Sequence, residues 1–534
     1  MKPRLRPPLL SLLVFGFFLS CGNAQESAPP PSSKQPNVLF LFADDLACDG
    51  VHAFGGVDVK TPNLDRLAAR GTIFTDAHNM GAWNGAVCIA SRAMLLTGRS
   101  LWHARAVAGH AELEAENAAG RLWPGMMRAA GYRTFMTGKW HNEIAPDACF
   151  DVVRMPRVMG MPGTVKSAYN RPPANAGEDA WSPTDTSLGG YWQGGRHWTE
   201  VAAETAVGFI HEATAGAAAG QAQPPYFAYV AFNAPHDPRQ SPQKFLDLYK
   251  TENITVPENF LPEYPWRDAV GQGPDLRDEA LAPFPRTPHA VQVHRREYYA
   301  LISHLDAWVG KILETVEKSG QADNTLIIFT ADHGLALGRH GFMGKQSLYD
   351  HSTRVPLILS GPGVPVGGRV QAPVYLQDTM ATALEAAGAA KADHVEFRSL
   401  LPLLQSDAAK AKDKGRKAIY GSDLERQRSI TVDGWKLLVY PKAHVLRLYD
   451  LAQDPLEMKD LAAGPEQKDR LASLFQTLQD EQAALDDPLD LTLMDPAITN
   501  HPVKPAEPTR RDRDSPPTRG RGNFLKRLPG SGGS

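Results

Sequence analysis

The sequence predicts an α/β fold: a large mixed, mostly parallel sheet sandwiched by helices, with a smaller C-terminal α+β subdomain of antiparallel sheet plus helix. Three observations carry this reading. Apolar runs at residues 37–43, 134–138, 227–232 and 326–331 each empty into Asp, Lys, Asn or His, as dry strands do when a parallel sheet brings their tips to one edge. Segments with helical spacing alternate with these runs. From residue 410 onward the pattern changes to short runs and turns. At 534 residues the chain is long enough for one large α/β domain and a smaller one. A formal net charge of −3 argues against nucleic acid or anionic lipid as a partner, and 43% hydrophobic residues is ordinary globular composition.

In chain order, Lys2, Arg4 and Arg6 precede an uncharged apolar run over residues 9–19. This is a secretory signal over residues 1–24, too short to span a bilayer. It has two exits. Phe18-Leu19-Ser20-Cys21-Gly22 is an imperfect lipobox that would make Cys21 a lipidated N-terminus, and Gly22-Asn23-Ala24 is a small-residue cleavage site. Both place the mature protein in the periplasm or at the cell surface, and only the first exit ties it to a membrane, through a lipid anchor at Cys21. Residues 25–36, rich in Ser and Pro, form a linker. The large domain covers 37–408, the C-terminal subdomain 409–499 and a disordered basic tail 500–534.

The first strand ends in Asp44 and Asp45. Adjacent carboxylates at a dry strand tip repel unless something positive compensates, which favours a hard divalent cation over a simple turn. Thr61 caps a helix with Pro62 at its first position, and Gly71 closes it. Cys88 then sits at the start of a short helix that Thr97-Gly98 stops, with Arg92 one turn on. A thiol at a helix N-terminus is acidic and reactive; on these residues alone, a small apolar core cysteine is the favoured reading. Further helices lie at 123–130, 200–213 and 294–318. The last is amphipathic through Tyr298, Leu301, Leu305, Trp308 and Ile312, and Asp306 on it has no catalytic role. The remaining tips lead into Lys139-Trp140-His141, Asn233-Ala234-Pro235-His236 and Asp332-His333-Gly334. Cys48 and Cys149 are left over, and their pairing stays open.

Cys88-Ile89-Ala90-Ser91-Arg92, followed by Leu96-Thr97-Gly98, resembles the signature of the formylglycine-dependent type I sulfatases of the alkaline phosphatase superfamily. The resemblance recurs, in the family's order, at Ala43-Asp44-Asp45, Thr137-Gly138-Lys139-Trp140-His141, Ala234-Pro235-His236, Ala331-Asp332-His333-Gly334 and the lysine block from Gly344-Lys345 to Leu357. It is closest in look to bacterial iduronate-sulfatase-like and polysaccharide-degrading members. It implies that Cys88 is oxidised to formylglycine, whose hydrate is the nucleophile, and that Asp44, Asp45, Asp332 and His333 ligate Ca2+ together with the modified Cys88. It also implies that Arg92, Lys139, His141, His236 and Lys345 surround the sulfate: Lys139 and Lys345 as fixed charge, His236 or Lys345 giving a proton to the leaving alkoxide, and His141 assisting sulfate release. Ala90 stands where Pro is commoner, which points to an anaerobic, radical-type maturation enzyme as partner.

Ser429 to Val432, Asp433-Gly434 and Trp435 to Tyr440 read as a hairpin with a two-residue turn, followed by a strand near Arg447 to Leu451 and a helix near 466–485. They resemble the sulfatase C-terminal subdomain. Residues 154–197 form an insertion in which Tyr191 and Trp192, with Trp198 just beyond, suit stacking on sugar rings. The expected activity is sulfate monoester hydrolysis on a sulfated polysaccharide or oligosaccharide. Two alternatives stand: a phosphodiester or phosphonate monoester hydrolase of the same superfamily, and a non-catalytic surface glycan-binding lipoprotein.

Overall fold

The computed structural model of the protein describes residues 35–158, 165–173, 179–216, 223–404 and 414–496. The expected leader with Cys21, nearly all of the linker and the basic tail lie outside the described residues. Within them the strands are β1 (Asn37–Asp44), β2 (Thr72–His78), β3 (Gly81–Ala82), β4 (Arg133–Lys139), β5 (Val152–Arg157), β6 (Tyr226–Pro235), β7 (Thr325–Ala331), β8 (Arg354–Ser360), β9 (Gly368–Val370), β10 (Val374–Tyr375), β11 (Ala418–Asp423), β12 (Gln427–Val432), β13 (Trp435–Tyr440) and β14 (Val445–Asp450).

The large sheet has the order β10-β2-β8-β7-β1-β6-β4-β5, with β9 also paired to β2. Only β8 runs antiparallel to its neighbours, β2 and β7. The sheet is therefore mixed but mostly parallel, as expected. At its centre, every residue of β1 is buried between β6 and β7. Phe40 and Phe42 of β1 pack with Trp123 and Tyr229 into an aromatic layer, each such ring contributing roughly 1.5–3 kcal/mol by leaving water. Parallel register aligns Ala43 with Ala331 and Phe42 with Ala231, which in turn pairs with Gly138. The carboxyl tips of β1, β4, β6 and β7 thereby meet at one edge.

The helix Pro62–Ala69 begins where Thr61-Pro62 predicts, but Thr61 does not cap it by a side-chain hydrogen bond. Its free N–H groups at Asn63 and Leu64 donate instead to the Asp306 carboxylate, at 3.1 and 2.8 Å. Asp306 lies on Pro288–Lys318, a 31-residue helix that starts six residues before the sequence reading placed it. The Thr287 side chain caps that helix by accepting from the Ala290 N–H. Trp198–Thr214 and Trp123–Ala129 cover further stretches of the sheet.

The second sheet, β14-β13-β12-β11-β3, is antiparallel except where β3 joins β11 in parallel. Asp433 and Gly434 both take positive φ, 48° and 78°, in the β12–β13 hairpin, as a two-residue type I′ turn demands. Helix Lys468–Ala484 packs on β12 and β13 through Leu471, Leu474, Phe475 and Leu478. Strand β3 is not foreseen by the sequence reading: it belongs to the segment leading to Cys88, not to the C-terminal region. Gly81 can be nothing larger, because its φ is 91° and a Cβ there would meet the Ser422 carbonyl oxygen at 1.9 Å.

Cys48 and Cys149 are both free and buried. Of the three aromatic residues expected to stack on sugars, Tyr191 and Trp198 offer no open face, whereas Trp192 is only half-buried, edge-on to His197 at 4.9 Å. Tyr191 is fully buried, stacks on His197 at 4.8 Å and donates its hydroxyl proton to the His236 carbonyl, while Trp198 is buried beneath Arg157. Their ring area is spent on packing the insertion against the site. Among the described residues no helix is long and apolar enough to cross a membrane.

Candidate active site at the carboxyl edge of the sheet

The carboxyl edge gathers side chains from six segments far apart in sequence. Asp44 and Asp45 come from the end of β1, and Asp45 adopts φ 65°, a left-handed turn that lets successive carboxylates face one point. Asp332 and His333 follow β7. Cys88 is the second residue of helix Val87–Thr97, which Gly98 ends in the left-handed conformation. Its thiol donates to Asp44 Oδ1 at 3.3 Å and lies 3.4 Å from His333 Nε2. Asp44, Asp45, Cys88, Asp332 and His333 are all buried, and each offers a ligand atom within 4.8 Å of the other four. That spread is about twice the 2.3–2.6 Å Ca–O distance, so one cation can touch all of them.

Positive groups interleave with these carboxylates. Lys139, the last residue of β4, pairs with Asp44 Oδ2. Lys345 Nζ donates to both oxygens of Asp45 at 2.9 Å and lies 3.3 Å from Cys88 Sγ. Arg92, one turn after Cys88, donates from Nε and Nη2 to Asp332 Oδ2 at 3.1 and 3.0 Å and from Nη1 to the Lys139 carbonyl. Its guanidinium rests on the Phe42 ring, 4.6 Å from the centroid. Cys88 is thus buried, yet among charges rather than aliphatic neighbours.

The charges set each other's ionisation. Burial and Asp332 push Asp44 up, but Lys139, His236 and Arg92 outweigh them and hold it below the usual carboxylate range. Burial pushes Asp45 well above that range even with Lys345 bound to it. Burial and Asp44 raise the Cys88 thiol, whereas Lys139 and Lys345 bring it below its ordinary value. Burial lowers His333, but Asp332 and Asp45 lift it to about 9. Burial, then Lys139 and Arg92, lowers His141 to about 3.

The histidines differ in what they can do. His333 Nδ1 donates to the Gly334 carbonyl at 2.8 Å, leaving Nε2 as the atom that faces Asp45 and Cys88. Three carboxylates and one imidazole nitrogen suit a hard divalent ion, which would also help offset the burial of Asp45. His236 Nδ1 donates to the Asp237 carbonyl at 2.6 Å, so its Nε2 faces the site, 3.7 Å from Asp45 Oδ2. His141 Nδ1 is buried without a hydrogen-bond partner, and its residue takes φ 56°.

Sequence reasoning passed over the layer behind these groups. Gln346, next to Lys345, donates to the Gly85 carbonyl and to Asp278 Oδ2, tying the lysine loop to the approach to Cys88. Glu279 accepts from the backbone N–H groups of Met343 and Gly344. Arg277 bridges Asp278 and Asp237 and reaches His236. Asp237 directly follows a histidine already singled out; Arg277 and Asp278 sit in a loop with no periodic pattern to mark them.

Comparison with known proteins identifies the family. The sulfatase family profile matches residues 36–389, and a profile described as the C-terminal part of N-sulphoglucosamine sulphohydrolase matches residues 338–484. Iduronate 2-sulfatase of Mus musculus is 29% identical over 434 residues, covering 76% of this chain and 75% of its own. An N-acetylglucosamine-6-O-sulfatase of Bacteroides thetaiotaomicron is 24% identical over 532 residues, covering 87% and 88%. A solved structure described as bound to its substrate D-glucosamine-2-N,6-O-disulfate shares the fold, with TM-score 0.63 and 22% identity over 85% of this chain and 99% of that one. With the family profile spanning most of the chain and the site assembled at the carboxyl edge of the sheet, the protein belongs to the sulfatase family and is a sulfuric ester hydrolase.

Proposed function

We propose that the protein removes sulfate esters from a sulfated polysaccharide or oligosaccharide outside the cytoplasm, using Cys88 in its formylglycine form and a Ca2+ ion. The convergence of Asp44, Asp45, Cys88, Asp332 and His333 ligand atoms within 4.8 Å carries this reading. Relatives named for iduronate and N-acetylglucosamine sulfates support the substrate class.

Asp44, Asp45, Asp332 and His333 would hold the ion; together with the hydrated aldehyde at position 88 it would supply an oxygen nucleophile and polarise the sulfonyl oxygens. The protein's own residues do the rest. Lys139 and Lys345 place fixed positive charge beside a buried anion, where it acts at low dielectric and needs no reorganisation. Arg92, held by Asp332 and by the Lys139 carbonyl, keeps the residue-88 side chain and Asp332 in one frame. Lys345 stands where a leaving alkoxide can take a proton, and His236, whose Nδ1 holds its proton on the Asp237 carbonyl, presents Nε2 to the site as an acceptor. His141 offers an unpartnered, uncharged Nδ1 as acceptor for the proton lost when sulfate departs.

Mass spectrometry of the Cys88 peptide from the native host, with turnover of an aryl sulfate against an aryl phosphodiester, tests the reading. The expected result is the aldehyde, lighter than the thiol, and faster sulfate release. An unmodified thiol in active enzyme would overturn the nucleophile, and faster phosphodiester cleavage would overturn the substrate class.

A further inference from the structure

Arg277 is the one guanidinium placed against His236 that also opens to solvent. Its Nε donates to Asp278 Oδ1 at 2.8 Å, and its Nη2 donates to Asp237 Oδ1 at 3.2 Å and lies 3.3 Å from His236 Nε2. Asp237 and Asp278 are buried, whereas 46% of the Arg277 side chain is exposed. Among the described residues its Nη1 makes no hydrogen bond, so two N–H donors remain for a ligand. Water already solvates those two donors, and an anion on the substrate can replace it there. The carboxylates hold the guanidinium rigid at the mouth of the site with its Nη1 donors outward, which suits charge-assisted binding of an oxyanion.

The placement defines what Arg277 can read. Its Nη2 contacts His236 Nε2, which in turn lies 3.7 Å from Asp45 Oδ2. The sulfate being cleaved sits among Lys139, Lys345 and His236 in the reading above, on which this inference rests. A group reaching Arg277 therefore belongs to the part of the substrate beside that ester. We propose that Arg277 binds a second anionic group of the substrate, a carboxylate or a further sulfate beside the ester being hydrolysed, and so makes the enzyme selective for polyanionic sugars over simple sulfate monoesters.

The test compares the matured wild-type enzyme with Arg277→Gln and Arg277→Lys on 4-nitrophenyl sulfate and on two matched pairs. One pair is glucosamine 6-O-sulfate and glucosamine-2-N,6-O-disulfate. The other is a 2-O-sulfated iduronate glycoside and its carboxyl methyl ester. Wild type should prefer the doubly charged member of at least one pair, which also tells whether sulfate or carboxylate is the group read. Arg277→Gln should reduce that preference about tenfold or more, chiefly through KM, as loss of a charge-assisted bond predicts. Arg277→Lys, which keeps the charge but not the fork, should retain part of it, with a melting temperature near wild type as control for folding. Wild-type indifference within both pairs would overturn the proposal, as would an equal loss on both members in either variant. If wild type releases sulfate from none of these compounds, the sulfatase reading fails rather than the role of Arg277.

Discussion

Replacing Arg92 by Met keeps the length and apolar stem of the side chain and removes its charge. Arg92 is fully buried, donates twice to Asp332 Oδ2 and lies 4.0 Å from Asp44 Oδ1. In the variant Asp332 keeps the Asp45 backbone N–H at 3.1 Å and His333 Nε2 at 3.7 Å, but loses the two guanidinium donors on its Oδ2. Breaking a buried pair from one side costs about 3–5 kcal/mol when the other charge is left with no partner; with His333 and Lys139 still beside Asp332, the loss lies toward about 3 kcal/mol or less. Urea unfolding of chelator-treated protein should show that loss. Added Ca2+ should stabilise Arg92→Met more than wild type, since the carboxylates then regain a positive partner; the excess reads out as a larger calcium-dependent shift in the unfolding midpoint. Arg92→Lys should fall between the two. Metal-free stability equal to wild type in Arg92→Met would refute the pairing of Arg92 with Asp332, even if turnover were lost.

Cys88→Ala should abolish sulfate release while the far-ultraviolet circular dichroism and melting temperature stay close to wild type; residual turnover would contradict the nucleophile. Asp306→Ala should destabilise the protein by about 1–2 kcal/mol through loss of a helix cap while kcat at 25 °C is retained, and a fall in kcat would show that the cap reaches the site. Burial raises Asp423 to about 7, so the folded state holds a proton that the unfolded chain has already released above the ordinary value of 3.8. That contribution is complete below 3.8 and is lost as pH rises through 7, at about 1.4 kcal/mol per unit and up to roughly 4 kcal/mol in all. Asp423→Asn should flatten this slope in pH-dependent unfolding, and an unchanged slope would refute it.

The parts of the fold legible in sequence are those whose physics is local. Uninterrupted apolar runs announce buried parallel strands, and polar residues at their ends mark the functional edge, so Asp44, Asp45, Lys139, His236 and Asp332 stand out in the sequence itself. Helix Pro288–Lys318 carries a start signal in Thr287-Pro288 of the same kind as Thr61-Pro62, so its true beginning was also legible. Other features have no local signature. Two residues of β3 show no period, and their pairing with β11 spans more than three hundred positions. The cap expected of Thr61 comes from Asp306, 242 residues away from Leu64. Arg277 owes its position to two carboxylates that only tertiary structure brings to it. Tyr191 and Trp198 have the composition of a sugar platform, but the insertion turns them inward.

Strand β3 also bears on how the chain can be shortened. Its two residues are held by Ser422 N–H to the Met80 carbonyl at 3.0 Å and Leu424 N–H to the Ala82 carbonyl at 2.9 Å. Cutting the polypeptide ahead of β11 would strand that backbone with no ladder to join, six residues before the cysteine. The last eighty described residues are therefore no detachable appendage: any minimal enzyme must carry them, and damage confined to that sheet reaches the chemistry through these two peptide hydrogen bonds and through Gln427, whose side chain donates to the Gln346 carbonyl beside Lys345 at 2.9 Å.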